Sequence, residues 1–278
     1  MPYLHTDDQQ RLYYEEAGSG PTLLFVHEFA GDHRSWEPQM RYFSRRYRCV
    51  AYSARGYLPS SVPESADDYS QWRVSEDIRC VLDALQVDRA HVVGLSMGAF
   101  ATLHFGIRYA QHPKQNRALT LTLAGCGTGS HPDVHENFKK DSAALGASLM
   151  RDGMAQVGAT YCHGPTRLPF LRKNPRGHAE FVRQFCEHSA QGSGLTSIGY
   201  QGRRPSLYTL QTEMARITAP TFIMVGDADE PCLDPSLMLK RTIPHSQLAV
   251  LPDSGHGINL EEPELFNRLL GDFLATHG

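Results

Sequence analysis

At 278 residues with 41% hydrophobic content, the chain can bury a large core without disulfide or metal staples, and it suits one α/β domain with an insertion. Its 27 basic and 30 acidic residues are spread along the chain and give a formal net charge of -3, with no basic block to follow a phosphate backbone, which argues against a nucleic-acid partner. The polar stretch Met1 to Gln10 has no signal-peptide core and no long apolar run occurs anywhere, so a soluble cytoplasmic protein with no membrane partner is expected.

Tyr3 to His5 and Arg11 to Glu15 flank the polar turn Thr6 to Gln10 and predict an opening hairpin, ended by Gly18 to Pro21. Leu23-Leu24-Phe25-Val26 is a continuous apolar run, the pattern of a strand buried on both faces, and it leads into the loop His27 to Asp32. Ser35 to Tyr42 predicts a helix, Arg48 to Tyr52 a strand, and Ser53 to Pro63 a loop. From Ser70 onward, Val74, Ile78, Val81, Leu82 and Leu85 fall on one helical face, and a strand over 91–95 follows. Leu119, Leu121 and Leu123 alternate with threonines in a further strand that closes at Gly125-Cys126-Gly127.

From about Gly127 to Glu213 the strand pattern stops. Helix-like stretches around Val134 to Val157 and His178 to Glu187, separated by glycine- and proline-containing breaks, predict an inserted helical cap over 127–213, with the core formed by 1–126 and 214–278. Strand character returns at Thr221 to Val225 and at Gln247 to Leu251. Pro263 then opens a final helix with Phe266, Leu269, Leu270 and Phe273 on one face. Strands alternating with helices imply an α/β fold with a mostly parallel central sheet covered on both faces.

The six cysteines, Cys49, Cys80, Cys126, Cys162, Cys186 and Cys232, contain no Cys-x-x-Cys pair and read as buried free thiols. His131 and His135 have i, i+4 spacing, but Pro132 between them suits a helix start and no third ligand is evident, so no metal is expected. Gly125-Cys126-Gly127 lacks the rest of a dinucleotide fingerprint, and no cofactor is expected. The predicted cap is rich in histidine and aromatic residues, some of which would line a pocket for a small or medium acyl group.

The organising stretch is Val92-Val93-Gly94-Leu95-Ser96-Met97-Gly98. A short β-branched run meets a helical pattern carried by Phe100, Leu103 and Ile107, so Ser96 falls at a strand-to-helix turn. In so tight a turn a side chain at position 94 or 98 would collide with the neighbouring strand or helix, and the serine is pushed outward. The Met97 N–H then lies at a helix N-terminus, free to bond a developing oxyanion. A serine hydroxyl attacks an acyl carbon only if a base takes its proton, so an imidazole must reach it.

With these residues the chain resembles the α/β-hydrolase superfamily nearly end to end, most weakly in the cap. Gly94 to Gly98 matches the family's nucleophile elbow. The resemblance implies an acid after the next core strand in a Gly-x-x-Asp pattern. Gly226-Asp227-Ala228-Asp229 fits it, making Asp229 the acid with Asp227 as rival. It also implies a histidine in the loop after the last strand, supplied as His256 in Ser254-Gly255-His256-Gly257. The family's His-Gly-x-x-Gly loop reads His27-Glu28-Phe29-Ala30-Gly31 here, so the oxyanion donors implied are the N–H groups of Phe29 and Met97.

Glu28 is a departure, because a carboxylate facing that hole would oppose the charge being stabilised. It is expected to point away or to be paired, with Arg34 and Arg55 as candidate partners. Glu28 and His27 are therefore expected behind the oxyanion loop, with Glu28 orienting the loop or its histidine, or serving as a buried structural carboxylate. Ser53 to Ser60 and Ala99 depart from common family patterns without touching the implied triad. The function implied is a serine hydrolase of a small-molecule carboxylic ester or lactone, similar to enol-lactonases and carboxylesterases. Carbon-carbon bond hydrolysis of a ring-cleavage product, amide hydrolysis, a perhydrolase or haloperoxidase side activity, and a ligand receptor on the same scaffold stay open. So does the oligomeric state, a homodimer included.

Overall fold

A computed structural model describes residues 2–111 and 116–277. The continuous apolar runs form strands sealed on both faces: β3 (Thr22–Val26) and β5 (Ala90–Leu95) are buried at every position, as parallel strands between two helical layers must be. With β1 (Tyr3–His5), β2 (Arg11–Ala17), β4 (Arg48–Tyr52), β6 (Ala118–Ala124), β7 (Thr221–Gly226) and β8 (Ser246–Leu251) they make one sheet of order β1-β2-β4-β3-β5-β6-β7-β8. At one edge the β1–β2 and β2–β4 pairings are antiparallel, and every other pairing is parallel. The opening hairpin and the mostly parallel sheet are thus as the sequence predicts.

Helices α1 (Glu37–Phe43) and α12 (Pro263–His277) cover one face, packing Phe43, Phe266, Leu270 and Phe273 on Leu23, Phe25, Val93 and Leu95. The other face carries α2 (Gln71–Ala84) and α3 (Met97–Tyr109), whose Ile78, Val81, Phe100 and Leu103 meet Leu24, Val50 and Val92. α2 is capped by the Ser70 hydroxyl, which accepts the Arg73 N–H at 3.1 Å. The helix predicted from Ser35 begins instead as a 3-10 turn, His33–Trp36, capped by Asp32, and becomes α-helical at Glu37.

Between β6 and β7 lies the helical insertion: α4 (Pro132–Asp152), α5 (Met154–Tyr161), α6 (Leu168–Lys173), α7 (Pro175–Cys186), α8 (Ala190–Thr196), a π-helical turn Ser197–Gln201, and α9 (Gln211–Met214). The stretch predicted as one helix over 134–157 is two, broken at Gly153, whose φ of +85° no helix tolerates. After β7 come α10 (Glu230–Thr242), which carries Pro231 and Pro235 and is not predicted from the sequence, and the short α11 (Ile258–Glu261). All six cysteines are free, five of them buried. Among the described residues no helix is long and apolar enough to cross a membrane.

Candidate active site

β5 delivers Ser96 to the carboxyl end of the sheet, where α3 begins at the next residue. Ser96 has φ of 53° and ψ of -113°, a conformation that costs a non-glycine residue about 1–3 kcal/mol and so has to be imposed by its surroundings. The Ser96 N–H donates to Ala124 O at 2.8 Å, tying the turn to β6. A Cβ at Gly94 would stand 2.2 Å from Gly98 O, and one at Gly98 would stand 2.1 Å from Val26 O. Both glycines are there because backbone already fills the space.

His256, in the loop after β8, reaches Ser96 Oγ with its Nε2 at 2.7 Å, and its Nδ1 lies 2.6 Å from Asp229 Oδ2. An ionised carboxylate only accepts hydrogen bonds, so Nδ1 carries the proton and Nε2 is left to accept the serine O–H. Burial opposes ionisation of Asp229, yet the His256 partner outweighs it and holds the acid below the ordinary carboxylate range. Asp227 is exposed and accepts the Ser254 N–H at 3.1 Å instead. The structure brings Ser96, Asp229 and His256 together and leaves Asp227 outside.

The imidazole loop is held from outside the core. His256 N–H donates to Thr166 O at 2.9 Å, and Thr166 belongs to the insertion. Gly255 N–H donates to Glu261 Oε2 at 2.9 Å, and Glu261 is paired with Lys173 of α6 at 2.8 Å. No pattern in the sequence marks Thr166 or Lys173, because each acts on a residue far away in the chain, and Glu261 shows its part only through Lys173.

Met97 follows the serine at the start of α3 and Phe29 lies in the loop after β3, and no protein acceptor takes either N–H among the described residues. Their carbonyls are pinned by tyrosines: Tyr57 O–H donates to Phe29 O and Tyr200 O–H to Met97 O, both at 2.9 Å. His27 fixes the loop from behind. Its Nε2 accepts the Ala54 N–H at 2.9 Å, which places its proton on Nδ1, 2.7 Å from Glu28 O. Burial drives His27 down to about 4, so the ring is neutral at pH 7.

A model of the alpha/beta hydrolase fold family matches residues 21–263. The chain belongs to the α/β-hydrolase fold family. Among its relatives, AB hydrolase superfamily protein YisY of Bacillus subtilis (strain 168) is 26% identical over 278 residues, with 98% of each chain covered. The 3-oxoadipate enol-lactonase 1 of Acinetobacter baylyi is 25% identical over 259 residues, covering 93% of this chain and 90% of that one. The fold is similar to that of a thermophilic esterase from Thermogutta terrifontis, with a TM-score of 0.85 at 21% identity over 100% of this chain and 99% of the other.

Within this α/β-hydrolase, Glu28 is buried and paired, but not with Arg34 or Arg55. Arg34 is engaged by Asp32 and Glu187, and Arg55 by Asp8 and Asp77. The partner is Arg167 of the insertion, whose Nη1 donates to Glu28 Oε1 at 3.0 Å while its Nη2 donates to Oε2. Burial resists the Glu28 charge; the Arg167 charge and the fork of two hydrogen bonds overcome it and hold Glu28 ionised below its ordinary range. The negative charge of Glu28, in the loop after β3, is therefore neutralised from the insertion.

Asp229, Cys232 and His256 place ligand-type atoms within 4.8 Å of one another. Burial and the Asp229 charge push the Cys232 thiol well up, and it donates to Gly125 O at 3.4 Å. A protonated thiol beside a carboxylate already engaged by an imidazole fits a metal poorly. His131 Nδ1 caps α4, and His135 Nδ1 meets Gly129 O at 2.9 Å, so the two serve separate local tasks.

Proposed function

We propose that this α/β-hydrolase cleaves a small-molecule carboxylic ester or lactone through an acyl-enzyme on Ser96. The observation that carries the reading is the imidazole of His256, in contact with Ser96 Oγ through one nitrogen and with Asp229 through the other. Ser96 Oγ attacks the carbonyl carbon as its proton passes to His256 Nε2, and Asp229 holds the resulting imidazolium. The carbonyl oxygen takes up the negative charge between the N–H groups of Phe29 and Met97, where one well-placed donor is worth about 3 kcal/mol in the transition state. Collapse expels the alcohol, or opens the lactone ring, with the proton returned by His256. Water activated by the same nitrogen then releases the acid and restores the serine.

The choice of ester or lactone is supported by the esterases and enol-lactonases among the relatives. A fluorophosphonate probe tests the nucleophile: the wild-type protein is expected to be labelled and Ser96→Ala not. Products from a panel of p-nitrophenyl esters, lactones and vinylogous diketones then test the bond. Labelling that survives in Ser96→Ala, or turnover of the diketones alone, overturns the reading.

A further inference from the structure

Three arginines lie in the interior among the described residues: Arg55, Arg167 and Arg204. Arg55 faces Asp77 and Asp8, and Arg167 faces Glu28. Arg204 has no carboxylate partner among the described residues, although it is only 3% exposed. A guanidinium stays charged at physiological pH, and a buried charge left without a counter-charge is strongly unfavourable. Burial alone pulls Arg204 down to about 10, whereas the carboxylates beside Arg55 and Arg167 outweigh burial and move those groups the other way.

The surroundings of Arg204 hold it in one place. Its guanidinium carbon lies 3.6 Å from the ring centroid of Phe100 and 4.8 Å from that of Phe138, so aromatic faces fix the plane. Nη1 donates to Gln201 Oε1 at 2.9 Å and Nη2 to Thr128 O at 2.6 Å. Those are neutral acceptors and use two of about five N–H donors, leaving the rest of the fork unclaimed by protein.

Its position joins it to the reacting serine. Arg204 N–H donates to Tyr200 O at 3.0 Å, and the Tyr200 hydroxyl donates to Met97 O at 2.9 Å, so the residue is anchored over the first turn of α3. Phe100 is the residue whose N–H closes that turn on Ser96 O. The Tyr161 hydroxyl, pushed up by burial, is drawn back by the charges of both Arg167 and Arg204, and its ring meets Phe29 of the oxyanion loop at 5.8 Å. One turn beyond Phe100, His104 has an Nε2 sealed from solvent with no partner. Burial and the Arg204 charge hold His104 at about 4, so its ring is neutral and has a nitrogen to offer an acceptor.

We infer that Arg204 completes the acyl pocket as an anion site: it binds a carboxylate at the end of the substrate remote from the scissile carbonyl, so the enzyme prefers carboxylate-bearing esters or lactones to neutral ones. The inference rests on the serine-hydrolase reading above and narrows its substrate class. A bidentate carboxylate would use the unclaimed N–H groups and supply the missing counter-charge at once. A neutral chain would leave the cation buried and unpaired.

The test compares mono-p-nitrophenyl adipate with p-nitrophenyl hexanoate, which has the same carbon count and leaving group but no free carboxylate. The wild-type enzyme is expected to favour the adipate ester by at least about 10-fold in kcat/KM, and Arg204→Met to lose at least about 10-fold of that ratio, about 1.4 kcal/mol, with Arg204→Lys in between. A wild-type ratio near or below one overturns the proposal without any variant. So does an Arg204→Met ratio equal to that of wild type, which would make Arg204 a packing residue only. If Arg204→Met does not fold, Arg204→Lys decides on the same ratio. If wild type hydrolyses neither ester, the hydrolase reading fails separately, and adipate itself decides the anion site: a rise in Tm in wild type that is absent in Arg204→Lys supports it, and no rise in wild type overturns it.

Discussion

The sheet and the helical insertion are joined into one site by different physics. At the elbow, backbone meets backbone: the Gly98 α-carbon faces Val26 O, and the Ser96 N–H is tied to Ala124 O. Where the insertion meets the core, charged side chains add to backbone contacts such as His256 N–H to Thr166 O. Arg167 grips Glu28, Arg34 reaches Glu187 at 2.6 Å, and Lys173 reaches Glu262 at 2.6 Å. The elbow thus sets the serine by local sterics, while the loop of His256 and the loop after β3 take their final positions in part from residues of the insertion. The difference teaches that the turn at Ser96 is set by the core alone, whereas the loops carrying His256 and Phe29 are shared property of core and insertion.

Gly98→Ala attacks the steric side and should have the largest effect. Its Cβ would stand 2.1 Å from Val26 O and 2.6 Å from Val26 C, and neither atom can move without displacing β3. A loss of more than about 4 kcal/mol, or failure to fold, is expected from such a backbone clash. Urea unfolding measures it, and an unchanged midpoint would show that the strand and helix have slack which the steric account denies.

Arg167→Met attacks the charged side. Removing one partner of a buried pair typically costs about 3–5 kcal/mol, because the other charge is left uncompensated. Glu28 would then lose the charge that keeps it low, and its affinity for a proton should rise. Wherever it stayed ionised it would oppose the developing oxyanion at Phe29, so kcat should fall and recover partly as pH is lowered. Glu28→Gln combined with Arg167→Met should restore most of kcat at neutral pH. Equal kcat for wild type and Arg167→Met across the pH range would reduce the pair to a tether with no electrostatic part in catalysis.

The same contrast explains what could be read from the chain. Gly94, Ser96 and Gly98 are legible because the turn imposes its requirement within five positions, and β3 is legible because burial on both faces leaves an unbroken apolar run. The partner of Glu28 is not: Arg167 lies 139 residues away, and an arginine three or thirty positions off looks equally suitable in the sequence. α8 is hidden for another reason. Its Ala190-Gln191-Gly192-Ser193-Gly194 has poor helix propensity and no apolar stripe, yet small residues are needed there, since a Cβ at Gly192 would stand 2.0 Å from Gly56 O. α10 escapes notice because Pro231 and Pro235 signal a break, although Pro231 stands in the first turn, where its missing N–H costs nothing.

Acid sharpens the comparison at smaller amplitude, because it acts on the core before the tethers. Burial holds both His27 of the loop after β3 and His91 of β5 at about 4, well below the unperturbed histidine value. Between about pH 6.5 and about 4 the unfolded chain therefore takes up protons that the folded chain refuses, so stability falls as pH falls through that window. Each ring contributes on the order of 2–3 kcal/mol across the whole interval. The depressed carboxylates Glu28 and Asp229 have the same sign but begin to matter only below about 4.5, where their unfolded counterparts protonate. Urea midpoints at pH 7 and pH 5 should differ accordingly, and His91→Gln should flatten the slope. Arg203→Ala, which breaks the exposed cap-to-core pair with Asp67 at 2.5 Å, should leave the slope intact and cost less than about 1 kcal/mol. A slope that follows Arg203 and ignores His91 would mean that the acid sensitivity resides in the charged seam, and that the core histidines are already protonated in the fold.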